Sequence, residues 1–143
     1  MNSERIVLVC VTAQQSSENL VKAGKEIAEK SSSALEVVSV LPLSRKNERS
    51  DHEIIERLYQ LAKSYGGEMA VYFNDDPIFT VSAHIAKRKP ITIVTGFPGE
   101  NSNDFIDLIR ALFPKIPISM VDPSGMIYNM LPQEKAAADK ITS

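Results

Sequence analysis

Residues 6–11 read IVLVCV, and residues 12–30 continue as TAQQSSENLVKAGKEIAEK. The first run is apolar without interruption, which is typical of a strand buried on both faces of a parallel sheet. The polar residues after it indicate a turn, and from Glu18 onward apolar residues return at the spacing of an amphipathic helix. A strand that leads through a turn into a helix is the first half of an α/β unit, whose ligand crevice lies beyond the carboxyl ends of its strands.

Four more apolar runs follow along the chain. They lie at residues 35–41, 69–73, 91–94 and 117–121, and stretches with helical periodicity separate them. Strands that alternate with helices in this way need right-handed crossovers, which place helices on both faces of a parallel sheet. The sequence therefore predicts an α/β fold of the Rossmann-like kind, a three-layer α/β/α sandwich around a five-stranded parallel sheet.

The length of 143 residues predicts one domain, because no internal repeat or linker divides the chain before Asp122. We expect the α/β domain to occupy residues 1–122. The remaining residues, 123–143, are predicted to form a C-terminal tail that either docks on the domain or frays.

Charge and composition limit the possible partners. The formal net charge is −2, whereas a nucleic-acid partner calls for a basic stripe. No apolar run approaches the roughly 20 residues of a membrane helix, and the chain enters its first strand without a secretory leader. A single cysteine, Cys10, excludes an internal disulfide framework. These features predict a cytoplasmic protein that binds neither nucleic acid nor membranes.

No set of residues indicates catalysis. His84 lies one position off the apolar stripe of its helix, which predicts a place on the helix flank, and the sequence contains no Gly-x-Ser-x-Gly nucleophile elbow. Asp75 and Asp76 follow the third strand, where they could hold Mg²⁺ through water. The interpretation we favour is that they cap a helix that begins at Pro77. We therefore predict no enzymatic activity and no metal site.

Four short segments carry a family resemblance. They are Val9-Cys10-Val11, Ser16-Ser17-Glu18-x-Leu20, the small residue Gly24, and the last strand Pro117-Ile118-Ser119-Met120-Val121. These segments resemble the universal stress protein superfamily, and the resemblance spans residues 5–121. Within that superfamily the chain is most similar to the stress-protein-like domain of potassium-responsive sensor histidine kinases.

The resemblance implies strand order 3-2-1-4-5, in the adenine nucleotide alpha hydrolase-like version of the fold. The connections after strands 1 and 4 then diverge to opposite faces and leave a crevice at this switch point. In ATP-binding members an acidic residue ends strand 1. Strand 4 is followed by Gly-x-x-Gly, nine residues and Gly-Ser/Thr, because glycines let the backbone approach phosphate and helix amides complete the anion site.

This sequence keeps only the first part of that ATP motif. Gly96-Phe97-Pro98-Gly99 follows strand 4, but Ile109 stands where Gly-Ser/Thr is expected, and Val11-Thr12 replaces the acidic end of strand 1. Glu100 and Asp104 add negative charge beside the expected phosphate position. For a cyclic dinucleotide, the strand 2 aromatics that would stack on a base are also missing. These departures argue against tight binding of ATP. The possible ligands are ATP, AMP and a cyclic dinucleotide.

Any small-molecule ligand is expected against the turns that follow strands 1 and 4. The predicted contact residues are Val11, Thr12, Ala13, Gln14, Thr95, Gly96, Gly99 and Asn101. The favoured hypothesis is a non-catalytic module that senses an adenine nucleotide or a related small anion at this site. The alternative is a ligand-free dimeric module with an interaction or regulatory role.

The fifth predicted strand suggests how two copies could associate. Ile118, Met120 and Val121 give it an apolar edge, and such an edge is normally paired or covered. We expect a homodimer in which strand 5 pairs with its copy across a two-fold axis, as the family resemblance also implies. The competing possibility is that residues 126–130 of the tail fold back and cover strand 5.

Overall fold

The computed structural model describes residues 5–11, 17–45, 49–96 and 104–130. Within these ranges a short 3-10 turn, Leu43–Arg45, accompanies ten regular elements. In chain order they are β1 Ile6–Val11, α1 Ser17–Lys30, β2 Ala34–Leu41, α2 Arg49–Ser64, β3 Glu68–Phe73, α3 Pro77–Arg88, β4 Thr92–Gly96, α4 Asp104–Leu112, β5 Ile118–Val121 and β6 Ile127–Met130. Among these helices none combines the length and the apolar character that crossing a membrane would need.

The strands form one sheet in the order β3-β2-β1-β4-β5-β6. The first five strands are mutually parallel, so the predicted α/β sandwich and the order 3-2-1-4-5 are confirmed. The predicted number of five strands is wrong, because β6 extends the sheet in the antiparallel direction. The residues of β6 read IYNM, which is neither a continuous apolar run nor a strict apolar–polar alternation, so the sequence pattern does not mark a strand there.

The added strand changes the edge of the sheet. Val121 pairs with Ile127 and Ile118 pairs with Met130, so β6 covers the whole outer edge of β5. The prediction that two copies pair through strand 5 is therefore corrected, since the edge on which it relied is occupied within the same chain. The competing possibility, in which tail residues fold back over strand 5, matches the structure.

A carboxylate organises the turn between β5 and β6. Asp122 Oδ1 accepts hydrogen bonds from the Ser124 hydroxyl at 2.7 Å and from the Ser124 and Met126 backbone N–H groups, both at 2.9 Å. The Ser124 hydroxyl and the Met126 amide hold the pKa of Asp122 below its ordinary value. This stabilisation is present above the ordinary carboxyl pKa and is lost only as the pH falls through the lowered value.

The sheet separates two apolar layers. On one face, Val7, Val9 and Val11 pack with residues of α1 and α2. On the other face, Leu8 packs with residues of α3 and α4. Successive residues of β1 thus point into different layers, and residues 6–9 are at most 2% exposed. This burial explains why β1 reads as a continuous apolar run.

Helix α1 approaches β1 most closely at Gly24. A Cβ atom at this position would overlap Val9 Cγ2 and would lie 3.2 Å from Leu35 Cδ1. Glycine therefore sets the spacing between α1 and the sheet at this point. Because α1 is one continuous helix from Ser17 to Lys30, the same contact also helps to position its first turn.

We predict that Gly24→Ala destabilises the protein by about 1–3 kcal/mol, the usual cost of overpacking a core. This cost exceeds the roughly 1 kcal/mol that alanine gains over glycine in a helix interior. Chemical unfolding of the wild type, Gly24→Ala, Val9→Ala and the double variant measures the coupling between the two positions. In the Val9→Ala background the alanine at 24 should become neutral or stabilising. An equal cost in both backgrounds would contradict the proposed contact.

Candidate functional site

The site predicted from the sequence lies where β1 and β4 end beside each other. Cys10 pairs with Thr95, so the last residues of the two strands, Val11 and Gly96, follow at the same edge of the sheet. Helix α1, after β1, packs into one apolar layer, and α4, after β4, packs into the other. The helices that follow these two strands therefore lie on opposite faces of the sheet, which is the geometry of a switch-point crevice.

The structure describes three of the eight predicted contact residues and brings them together at this edge. Val11 is 4% exposed and Thr95 is 8% exposed, so their side chains belong to the core and only their backbone groups are suited to a ligand. Gly96 is partly exposed. The other five lie outside the described residues: Thr12, Ala13, Gln14, Gly99 and Asn101.

The first turn of α1 and the β5–β6 turn border the crevice. A Cβ atom on Gly96 would lie 3.9 Å from Leu20 Cδ1, so the absence of a side chain at residue 96 keeps the β4 end open toward α1. Asn19 Nδ2 donates a 3.1 Å hydrogen bond to the carbonyl oxygen of Pro123. This bond ties the start of α1 to the β5–β6 turn and defines one side of the crevice.

Ser39 places a buried hydroxyl next to the end of β1. It stands opposite Val11 in the β1–β2 register and is only 1% exposed. Its Oγ atom has no hydrogen-bond partner within the part of the chain that the structure describes. Such a group is costly to leave unpaired. In the sequence, Ser39 interrupts the apolar run of β2, and this interruption could have predicted the buried hydroxyl.

Two carboxylates at this edge of the sheet accept hydrogen bonds from backbone amides. Asp76 accepts a 3.0 Å hydrogen bond from Phe79 N and caps α3, as predicted. Asp75 accepts a 3.0 Å bond from Leu43 N. Among the described residues no group of three or more His, Cys, Asp or Glu side chains could hold a metal ion.

Cys10 lies beneath the crevice, one residue before the end of β1. Burial raises the pKa of its thiol from 9.0 to about 12. Because the thiolate is the reactive form of cysteine, this residue behaves as a small core side chain at neutral pH.

A second polar cluster lies between α3 and the sheet. His84 Nε2 is 2.9 Å from Glu36 Oε1, and His84 Nδ1 is 2.7 Å from the Tyr72 hydroxyl. Arg88 Nε lies 3.2 Å from the Glu36 carboxylate. A neutral imidazole that donates through Nε2 and accepts through Nδ1 satisfies both ring nitrogens. Neither nitrogen is left to act as a base or a nucleophile.

The position of this cluster indicates a structural role. Glu36 is near the amino end of β2 and Arg88 is the last residue of α3, so both lie far from the crevice. The predicted place of His84 on the helix flank is wrong, because the residue is only 6% exposed. The sequence pattern that could have predicted this cluster is Glu36 inside an apolar strand, because a buried charge requires a partner.

We predict that Glu36→Ala lowers the free energy of unfolding by about 1–3 kcal/mol, because the buried Nε2 of His84 loses its acceptor. Arg88→Ala should cost at most about 1 kcal/mol, since the Arg88 side chain is 38% exposed. The matched control is Glu68→Ala, which removes the exposed glutamate opposite Glu36 in the β2–β3 register. Urea denaturation measures all three variants. A Glu36 variant as stable as the Glu68 variant would refute the proposed role of the cluster.

Comparison with known proteins identifies the fold. No protein-family model and no curated protein matches the sequence. Several solved structures do match. A universal stress protein in complex with cAMP has 16% sequence identity and a TM-score of 0.62, with 85% of this chain and 99% of the other covered.

Two further structures give the same result. The universal stress protein from Archaeoglobus fulgidus in complex with dAMP has 17% identity and a TM-score of 0.56 over 76% of this chain and 92% of the other. A universal stress protein family member from Burkholderia pseudomallei has 16% identity and a TM-score of 0.57 over 85% and 98%. The chain therefore has the universal stress protein fold. The closer similarity to sensor histidine kinases stays a prediction.

Proposed function

We propose that this chain is a non-catalytic binding module of the universal stress protein kind, which holds an adenine mononucleotide at the β1/β4 switch point. The observation that carries the proposal is the adjacency of Val11 and Gly96 at strand ends whose helices leave on opposite faces of the sheet. In sheets of this type, ligands bind in the crevice at that point.

A ligand with a single phosphate group suits this crevice better than ATP. Two proteins with the same fold are described in complex with cAMP and with dAMP, and each of these nucleotides carries one phosphate. In this chain the second half of the ATP motif is absent from the sequence. Asp122, which follows the strand next to β4, also disfavours the accumulated charge of a triphosphate.

The proposed contacts come from the two turns at the crevice. The strand ends at Val11, Thr95 and Gly96 supply backbone groups. The turn residues Thr12, Ala13, Gln14, Gly99 and Asn101 supply further amides and polar side chains. None of these residues is proposed to react with the ligand. We also propose that the protein is cytoplasmic.

Titration calorimetry with AMP, cAMP and ATP tests the proposal. We expect AMP or cAMP to bind more tightly than ATP. Gly96→Val should weaken binding at least about tenfold, a loss of about 1.4 kcal/mol, because the added side chain fills the space toward Leu20. Thr92→Val is the matched control, since it introduces the same side chain on the same face at the other end of β4. It should leave binding unchanged.

Two outcomes would contradict the proposal. If none of the three nucleotides binds at millimolar concentration and none co-purifies in native mass spectrometry, the alternative of a ligand-free interaction module is favoured. If a nucleotide binds but both valine variants bind it as well as the wild type does, the site lies elsewhere on the molecule.

A further inference from the structure

We infer that residues 131–143, the C-terminal segment of the chain, dock in a groove between α3 and α4 on the outer surface of the domain. This segment lies outside the described residues. The inference does not depend on the proposed nucleotide site. It rests on the exposed leucines of α4, on the place where the described chain ends and on the charges around α3 and α4.

Helix α4 presents apolar side chains to water. Leu108 is 44% exposed and Leu112 is 55% exposed, and Ala111 beside them is also exposed. Residues three and four apart are neighbours on a helix, so these side chains form one apolar stripe. Ile106 and Ile109 pack the other side of α4 against the sheet. Helix α4 therefore has a second apolar surface, which the other described residues leave largely exposed.

The contacts of α3 show which of its flanks faces α4. His84 directly precedes the inward-facing Ile85 and hydrogen-bonds to Glu36 of β2. In the strand order, β2 lies on the side of α3 that is remote from β4, β5 and α4. Ser82 and Ala86 lie on roughly the opposite flank of the helix, because each directly follows a buried residue instead of preceding one. These two small side chains therefore face α4.

The two leucines of α4 lie on the flank that faces α3. Helices α3 and α4 follow parallel strands and cover the same face of the sheet, so they run in the same direction and equivalent positions point the same way. Leu108 directly precedes the inward-facing Ile109 and is thus equivalent to His84, and it points toward α3. Leu112 follows Leu108 by one turn. The α3/α4 groove is thus lined by Ser82 and Ala86 on one side and by Leu108 and Leu112 on the other.

The described chain ends near this groove and on the same face of the sheet. Met130 pairs with Ile118, the first residue of β5, and packs against the apolar layer of α3 and α4. Residue 131 therefore starts at the amino edge of the sheet, where α3 and α4 also end. The groove lies roughly 10 Å away across two strand spacings and roughly 10 Å outward, about one helix diameter. An extended chain covers this distance in about five residues, so the rest of the segment is long enough to lie along the groove.

The sequence of the segment suits the α3/α4 groove. It reads LPQEKAAADKITS, and its Ala-rich part favours a short helix. In such a helix Ala137, Ala138 and Ile141 share one face. This apolar face is the complement of the leucine stripe on α4, and the small alanines allow the segment to approach closely.

The charges of the segment match those around the groove. Lys89 and Lys115 are exposed at the amino edge of the sheet, where the segment carries Glu134. Asp107 is exposed in the first turn of α4, in the direction in which the segment continues to Lys140. Opposite charges at both ends therefore favour a segment that runs antiparallel to α3 and α4.

The covalent tether favours this segment over a second copy or a foreign helix. A short flexible connection gives the tethered group an effective concentration in the millimolar range. A separate chain at micromolar concentration competes poorly with it. The segment that follows Met130 is therefore the occupant that the observations favour.

Amide hydrogen exchange of the full chain, read by mass spectrometry of peptides from residues 131–143, tests the inference. We expect exchange at least about fivefold slower than in a synthetic peptide of the same sequence, because so short a helix is unstable unless it is docked. The double variant Leu108→Gln/Leu112→Gln should lose most of this protection. Leu43→Gln is the matched control, since Leu43 is 52% exposed against 55% for Leu112. It should keep the protection.

A substitution in the segment itself makes the same test without altering α3 or α4. Glu134→Lys should speed the exchange of residues 136–141, because the new ammonium group would meet Lys89 and Lys115. Unchanged protection in this variant would contradict the antiparallel orientation.

Three results would overturn the inference. The segment of the wild type could exchange as fast as the synthetic peptide, which would show that it does not dock. Protection could persist in the folded double leucine variant, which would place the segment on another surface. Protection could also rise with protein concentration over about a tenfold range, which would show by mass action that a second copy supplies the contact.

Discussion

Burial of β1 on both faces is the constraint on which the rest of the structure depends. Its side chains alternate between two apolar layers, so helices have to cover both sides of the sheet. Strands β2 and β4 flank it on its two edges. Gly24 lets α1 lie directly against Val9. Because the helix after β1 covers one face and the helix after β4 covers the other, the crevice at the carboxyl edge follows from the packing.

Buried polar side chains at the two ends of the sheet differ in their hydrogen bonding. Toward the amino end, the Glu36 carboxylate is hydrogen-bonded to His84 and Arg88, and the cluster holds α3 against β2. At the carboxyl end, the Ser39 hydroxyl beside β1 has no hydrogen-bond partner among the described residues. A satisfied cluster stabilises the fold, whereas a buried hydroxyl without a partner has an energetic cost.

The fold could be predicted from the sequence because its signals are local. The apolar run of β1 and the Asp76-Pro77 start of α3 each appear within a few residues. Pairing of β6 with β5 could not be predicted with the same certainty, since it depends on contacts between segments and on a turn held by Asp122. The burial of His84 was missed for the same reason, because its partner Glu36 lies 48 residues away in the chain.

Only part of the predicted site lies within the described residues. Strand ends can be located from a sequence, because the apolar run stops there, and Val11, Thr95 and Gly96 do meet at one edge of the sheet. The conformation of a polar turn depends on few local rules and on its tertiary surroundings. Positions such as Gln14 and Asn101, which lie outside the described residues, therefore stay predictions.

Backbone amide chemical shifts recorded by NMR during a titration with AMP would test the central claim most directly. If the β1/β4 switch point is the binding site, the largest changes should occur at Val11 and Gly96. The amides of Ile6 and Thr92, at the opposite ends of the same strands, should be nearly unaffected. Changes concentrated at the amino ends of the strands, or on the outer faces of the helices, would contradict the assignment of function to this crevice.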